Sequence, residues 1–340
     1  MATYKQIFGK AIKVLASDPS NEGLGQIWYN STSSTYKTIV NPAAWSAGGV
    51  LSTARDSMGT AKQATISSNL IFGGKDTPGT GRNLAESYNG TAWTVENVMP
   101  TGRQMVGGAG DQTAALAFGG ETGPPNVPSD VTSSYDGTNW TAVNALGSSG
   151  MLNGSSGAGT QGAALVFGRQ SWPVVVSPQT TEEWDGTNWA ASPGSMNTPR
   201  EDGAGTGLQT AALAFGGTGY PPGTFAMTVT ESYDGSTWTS ENNMNTARRR
   251  SAGGGQVAEA VAFGGLVPGP SVTGSTETFD GTSWAAASAM GTGRYFCGGD
   301  GATATDSMAT GGLTSGTATS YTNITEEYAQ ADVVKTITTS

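Results

Sequence analysis

Short apolar runs recur along the chain at a nearly constant distance, separated by stretches of glycine, serine and threonine. The string AALAFGG at 114–120 returns as AALVFGR at 163–169, AALAFGG at 211–217 and AVAFGG at 260–265. An earlier copy is LIFGG at 70–74, and a degraded one is MATGG at 308–312. The first glycines of these copies are Gly73, Gly119, Gly168, Gly216, Gly264 and Gly311, at intervals of 46, 49, 48, 48 and 47 residues. A fixed period of this length is the mark of a repeat architecture, in which each copy is one small unit of secondary structure.

A second signature follows each apolar run: ESYNGTAWT (86–94), SSYDGTNWT (133–141), EEWDGTNWA (182–190), ESYDGSTWT (231–239) and ETFDGTSWA (277–285). An aromatic residue precedes Asp-Gly or Asn-Gly, and a tryptophan comes after. Asp-Gly and Asn-Gly accept the positive φ of tight hairpin turns, so each copy predicts strand, turn, strand. A third mark is an arginine at Arg103, Arg200, Arg248 and Arg294, with Met151 in the odd copy. Upstream of each apolar run lies a small-residue strand such as VGGAG (106–110) or SAGGG (251–255). Each period therefore predicts four short strands. The innermost is small because it would crowd a central axis, and the later ones are larger where a wedge widens.

Four strands per period of nearly 50 residues, with a Gly-Gly pair and a spaced Trp, resemble the kelch repeat over residues 45–328. The resemblance implies an all-β fold: a six-bladed kelch-like β-propeller. Only five of the six copies lead to a tryptophan strand, and Trp45, with Arg55 ten residues on, supplies the sixth. The expectation is a propeller closed by an N-terminal strand, with the segment around Trp45 completing the blade begun by residues 295–328. Closure of that kind removes the free edges of an open array.

Residues 1–44 stand outside the repeat. GQIWYN (25–30), a polar STSS turn and TYKTIV (35–40) predict a small N-terminal β-hairpin module. The C-terminal strand and tail, 329–340, contain ADVVKTITTS and read as a partner for it. The N-terminal segment LASDPSNEGLGQIWYNSTSSTYKTIV resembles the attachment modules of tailed-phage fibre and appendage proteins. The resemblance implies a virion protein assembled in a host bacterial cytoplasm and joined to other virion proteins through residues 1–44. On that reading Lys5, Lys10, Lys13, Trp28 and Tyr29 are the candidate attachment residues. The start of the chain has no unbroken apolar stretch of signal-peptide type and reads as a mature N-terminus.

Composition narrows the chemistry. Of 340 residues, 52 are glycine, none is histidine, and one is cysteine, Cys297. Ser-His-Asp and Cys-His catalysis, His/Cys zinc sites and an intrachain disulfide are thereby excluded. No apolar run approaches membrane-spanning length. The net charge of −10 disfavours nucleic acid and anionic lipid. Residues 1–44 carry a net +2, so a small basic head precedes an acidic body.

The periodic arginines, Arg55 among them, admit two readings. They could converge on a carboxylate as in sialidase-like propellers, since the guanidinium fork matches it, or bond loop carbonyls as part of the frame. Their regular recurrence favours the frame. Asp136, Asp185, Asp234 and Asp280 could suggest calcium, but they fall in different blades and suit turns. The periodic tryptophans suit packing between blades better than sugar platforms. Cys297 reads as a small buried hydrophobe. The places that break the period are more informative. The loops after the glycine pairs, 75–84, 121–130, 170–179, 218–227 and 266–275, differ in every copy and contain prolines. In a blade these loops share a face with the inter-blade crossings. Trp172, Tyr220 and Phe225 are aromatics without counterparts in the other copies, and they are the candidate ligand-binding residues. The functional expectation is a non-enzymatic virion protein, a tail fibre, appendage or receptor-binding component. It would need no cofactor or metal and would recognise a host surface glycan, an envelope protein or a neighbouring subunit, with a homo-oligomer among its arrangements. A capsid decoration protein, a sialidase-like glycan-cleaving enzyme and a cellular kelch adaptor are the alternatives.

Overall fold

The computed structural model describes residues 12–19, 25–78, 80–147, 156–168, 179–219, 226–269, 271–317, 319–330 and 333–337. Among them the chain is all β, with no helix. It divides into two units, residues 1–44 with 330–340, and residues 45–329.

The first unit holds one four-stranded sheet. Ile27–Asn30 and Thr35–Val40 form the predicted hairpin, pairing Trp28 with Lys37 and Tyr29 with Tyr36. Lys13–Leu15 adds in parallel beside Ile27–Asn30. The C-terminal strand Val333–Thr336 pairs antiparallel with Thr35–Val40, so the two ends of the sequence share a sheet. Trp28 is fully buried, and its indole N–H donates to Asp18 at 3.2 Å. The Asn30 amide donates to the same carboxylate at 2.7 Å.

The second unit contains six four-stranded sheets among the described residues, here I to VI in chain order. Sheet II shows the plan: Gly107–Gly110, Ala115–Phe118, Thr132–Tyr135 and Trp140–Val143, each antiparallel to the one before. Sheets I, III, IV and V begin with Asp56–Thr60, Ser156–Gly159, Ala204–Leu208 and Ala252–Gln256, and each ends on a tryptophan strand. Sheet VI draws on distant sequence: Gly298–Thr303, Asp306–Thr310 and Thr325–Gln330 are joined by Ala43–Ala47 as fourth strand. Trp45 lies against Tyr328, with ring centroids 5.1 Å apart. The first strand of each sheet packs against the first strands of its two neighbours, sheet VI against sheet I included.

The core is distributed between the sheets. One cluster joins Ala109, Leu116 and Phe118 of sheet II to Ala164, Val166, Trp184 and Trp189 of sheet III. In sheets II to VI the tryptophan meets a phenylalanine of the preceding sheet edge-on, as in Trp189 on Phe118 at 5.0 Å and Trp45 on Phe263 at 4.9 Å. Edge-on geometry places the positive ring edge against the negative face of the partner. The indole N–H then donates to a threonine of that preceding sheet: Trp189 to Thr132, Trp238 to Thr181, Trp284 to Thr230, Trp45 to Thr276 and Trp93 to Thr325, at 2.9–3.0 Å. Glutamines in the first hairpin of three sheets reach back across the seam. Gln112, Gln161 and Gln209 each donate to two backbone carbonyls of the sheet before.

The glycine pairs are required by a close approach. At Gly264 φ is +65°, and a Cβ there would lie 2.5 Å from the Arg294 carbonyl oxygen of the next sheet. The left-handed conformation and the missing side chain are both needed at that point.

Candidate functional site

The periodic arginines are consumed by the frame. Arg200 meets Glu231 at 3.0 Å and Arg248 meets Glu277 at 2.7 Å, with side chains at most 2% exposed. Arg55 pairs with Glu86 and Arg294 with Glu326 in the same way. Among the described residues Arg103 meets no glutamate. It donates to the carbonyls of Gly119 and Val131 at 2.7 and 2.6 Å, and burial lowers its pKa to about 10. Each arginine closes the loop of its own sheet, so the five do not converge on a shared ligand. Burying an ion pair costs desolvation, and the glutamates and carbonyls offset it by satisfying most of the guanidinium protons. Met151, which replaces the arginine in the odd copy, lies outside the described residues.

The Asp-Gly aspartates are turn residues. Asp136 Oδ1 accepts the backbone N–H of Thr138 and of Asn139 at 2.9 and 2.7 Å, and Asp185, Asp234 and Asp280 repeat the arrangement. These hydrogen bonds hold all four carboxyls below the usual range. Among the described residues, no three His, Cys, Asp or Glu side chains gather as a metal site would require.

A site that the sequence reading missed lies where the first strands begin. Ser57, Met105, Asp202, Arg250 and Phe296 all have φ between 53° and 56°, a left-handed conformation rare outside glycine. Each stands two residues after a periodic arginine. Their peptide groups form a relay between sheets: Met105 N–H to Ser57 C=O, Ser57 to Phe296, Phe296 to Arg250, and Arg250 to Asp202, at 2.7–3.0 Å. Strained non-glycine backbone costs on the order of 1–3 kcal/mol per residue and persists only where surrounding bonds impose it. Here the relay imposes it, and five unlike residues stand at one level, with Met105, Arg250 and Phe296 partly exposed and Ser57 and Asp202 buried.

The same level receives the variable loops. The residue before each relay member bridges to the segment just past the glycine pair: Asp56 to Lys75, Gln104 to Glu121, Glu201 to Thr218, Arg249 to Leu266 and Tyr295 to Leu313. The second-to-third strand loops therefore leave the sheets at this rim. The rim is charged. Arg250 Nε donates to Asp202 at 2.8 Å, and its guanidinium carbon stands 4.5 Å over the Phe296 ring. Burial, with the Asp202 charge second, pushes Glu201 up to about 7, and burial pushes Asp56 up to about 6.

Below the rim runs a pit of about 100 Å³ between the first strands, lined by Thr60, Lys62, Gly108, Gly205, Ala252 and Cys297, among others. The first strands' outward carbonyls are capped by neighbours: Ser156 Oγ on Gly203, Thr206 Oγ1 on Gly255, and Thr60 Oγ1 and Lys62 Nζ on Gly299. At the end away from the rim, the Gln63 amide donates to the Gly207 carbonyl of sheet IV at 2.8 Å and accepts from Gln256 at 3.0 Å. Burial pushes the Cys297 thiol up to about 11, which makes it inert as a nucleophile at neutral pH.

Trp172, Tyr220 and Phe225 lie outside the described residues, as do Lys5 and Lys10. Lys13 is exposed on its strand, Tyr29 is half-buried beside Tyr36 at 5.2 Å, and Trp28 is enclosed within the first unit. No family model matches the chain, and no curated protein matches it.

Proposed function

We infer that the chain is a six-bladed propeller of kelch type that serves, without catalysis, as a structural and recognition component of a tailed-phage virion. Residues 1–44 attach it to other virion proteins. The rim with its second-to-third strand loops faces outward, toward a host surface glycan or an envelope protein.

The observation that carries this reading is the rim. A frame repeated from sheet to sheet holds Ser57, Met105, Asp202, Arg250 and Phe296 at equivalent backbone positions, and the side chains alone vary. Repeated frame with varied display is how a rigid scaffold presents a recognition surface at small entropic cost. The sialidase-type alternative loses its main support, because the arginines it needs are occupied by glutamates and carbonyls inside the sheets. The sixfold reading of the fold rests on the six sheets and on the contact of sheet VI with sheet I.

Mass spectrometry of purified particles tests the assignment: the chain is expected as a stoichiometric component, and its absence from particles ends the virion reading. Binding of the pure protein to host cells, competed by isolated surface glycan, distinguishes receptor recognition from a decorative role. Turnover of a fluorogenic sialoside would overturn the non-catalytic part.

A further inference from the structure

The pit carries a charge for which the scaffold has little use. Its floor is the Lys62 ammonium, donating to Gly299 O at 2.9 Å. That carbonyl is its one hydrogen-bond acceptor among the described residues, so two of three N–H bonds remain for the pit. The wall is built mainly of small and apolar side chains, and its one carboxylate, Asp202, is paired with Arg250 at the rim. The nearest carboxylate in electrostatic terms, Asp300, is engaged by the Asn69 amide at 2.6 Å, and burial pushes its carboxyl up to about 7. Burial in turn depresses the Lys62 pKa, the expected sign for an ammonium held away from water.

The opening is cationic as well. Arg250 spends only Nε on Asp202, and its side chain is 30% exposed. Its two terminal NH₂ groups have no hydrogen-bond partner among the described residues. Gly299 lies three residues beyond Phe296, roughly 10 Å down the wall at about 3.3 Å per strand residue. The pit thus carries a guanidinium at the rim and an ammonium further in, with the Gln63 and Gln256 side chains bridging between sheets beyond it.

We propose that this pit binds a small carboxylate, held by the Lys62 ammonium and admitted past Arg250. An ammonium enclosed with one neutral acceptor is costly, and an anion beside it offsets that cost. A planar carboxylate can accept the two spare N–H bonds together. The pit's 100 Å³ suits an ion of acetate size. The net charge of −10 and Asp202 at the rim favour a monoanion over a dianion.

Thermal unfolding of the full chain in sodium acetate, against sodium chloride at equal ionic strength and neutral pH, is the test. Acetate at roughly ten times its dissociation constant raises the midpoint by about 2 °C above chloride. Lys62→Met abolishes that rise and Lys62→Arg retains it. Equal midpoints in the two salts, or a rise that survives Lys62→Met, overturn the proposal. If Lys62→Met does not fold, Lys62→Gln, which keeps a polar side chain without the charge, takes its place. A rise that survives Lys62→Gln overturns the proposal equally.

Discussion

Trp140 is the one periodic tryptophan whose indole N–H is buried without a partner. It packs on Phe72 of sheet I at 5.0 Å, as Trp45, Trp189, Trp238 and Trp284 pack on the phenylalanines of their preceding sheets. The difference is across the seam: sheet I has Ala85 where sheets II to VI have Thr132, Thr181, Thr230, Thr276 and Thr325. Ala85→Thr supplies the missing acceptor at a strand position that already suits a β-branched residue. The expected gain is about 1 kcal/mol, seen as a rise of roughly 1–2 °C in the thermal midpoint. A second residue sets a pH dependence. Asp300 is buried, and its folded pKa of about 7 lies above the unfolded value of about 3.9. Between those values the folded chain holds a proton that the unfolded chain has lost. The stability linked to Asp300 is thus complete below the unfolded value and is lost as pH rises through about 7. Asp300→Asn removes this slope, and denaturant titrations at acid and alkaline pH are expected to show the variant gaining on the parent by an amount on the order of a few kcal/mol at the alkaline end.

At the scale of the strand, the sequence disclosed more of the frame than of the site. The hairpins follow from Asp-Gly and Asn-Gly, and the first strands follow from their small residues. The reason for the glycines is more specific than crowding at an axis. A Cβ on Gly205 would lie 2.4 Å from the Phe167 ring of the preceding sheet, and one on Gly157 would lie 2.8 Å from Phe118. Sheet VI has Thr310 where the others have that phenylalanine, and sheet I accordingly carries Thr60 where the others carry glycine. The tolerance is local, so Gly205→Ala is expected to cost about 1–3 kcal/mol by overpacking, read as a lower denaturant midpoint. Thr60→Gly, where no ring intrudes, relieves no such clash. The relay at the rim was invisible for a related reason. Ser57, Met105, Asp202, Arg250 and Phe296 share a backbone conformation and a place two residues after an arginine, but no residue type. Composition and periodicity report side chains, and here the repeated quantity is a dihedral angle imposed by the neighbouring sheet. The tryptophan-to-threonine bonds were hidden similarly, since each partner belongs to another repeat.

On the scale of the whole second unit, sheet VI is where the two ends of the repeat meet. Trp45 stands in its fourth strand, edge-on to Phe263 of sheet V and donating to Thr276 at 2.9 Å, as Trp189, Trp238 and Trp284 do within continuous sequence. Its contacts therefore span more than 200 residues of chain, with Thr276 itself 231 residues away. Such contacts contribute no local stability while the chain is open, because the loop they close is nearly the entire unit. They also leave sheet VI exposed as an unpaired edge until Ala43–Ala47 docks. Trp45→Ala is expected to cost roughly 2–4 kcal/mol, somewhat under a fully buried tryptophan because the ring is half-buried. The distribution of that loss is the informative part. If the Trp45 strand is a local latch, amide hydrogen exchange in Asp306–Thr310 and Thr325–Gln330 accelerates well before that in Ala164–Phe167, which lies in sheet III. The matching substitution at Trp189, inside continuous sequence, loosens sheets II and III and leaves sheet VI protected. Equal acceleration in all sheets after Trp45→Ala would mean that the unit opens as one block, and that the strand from the N-terminal side is no special latch.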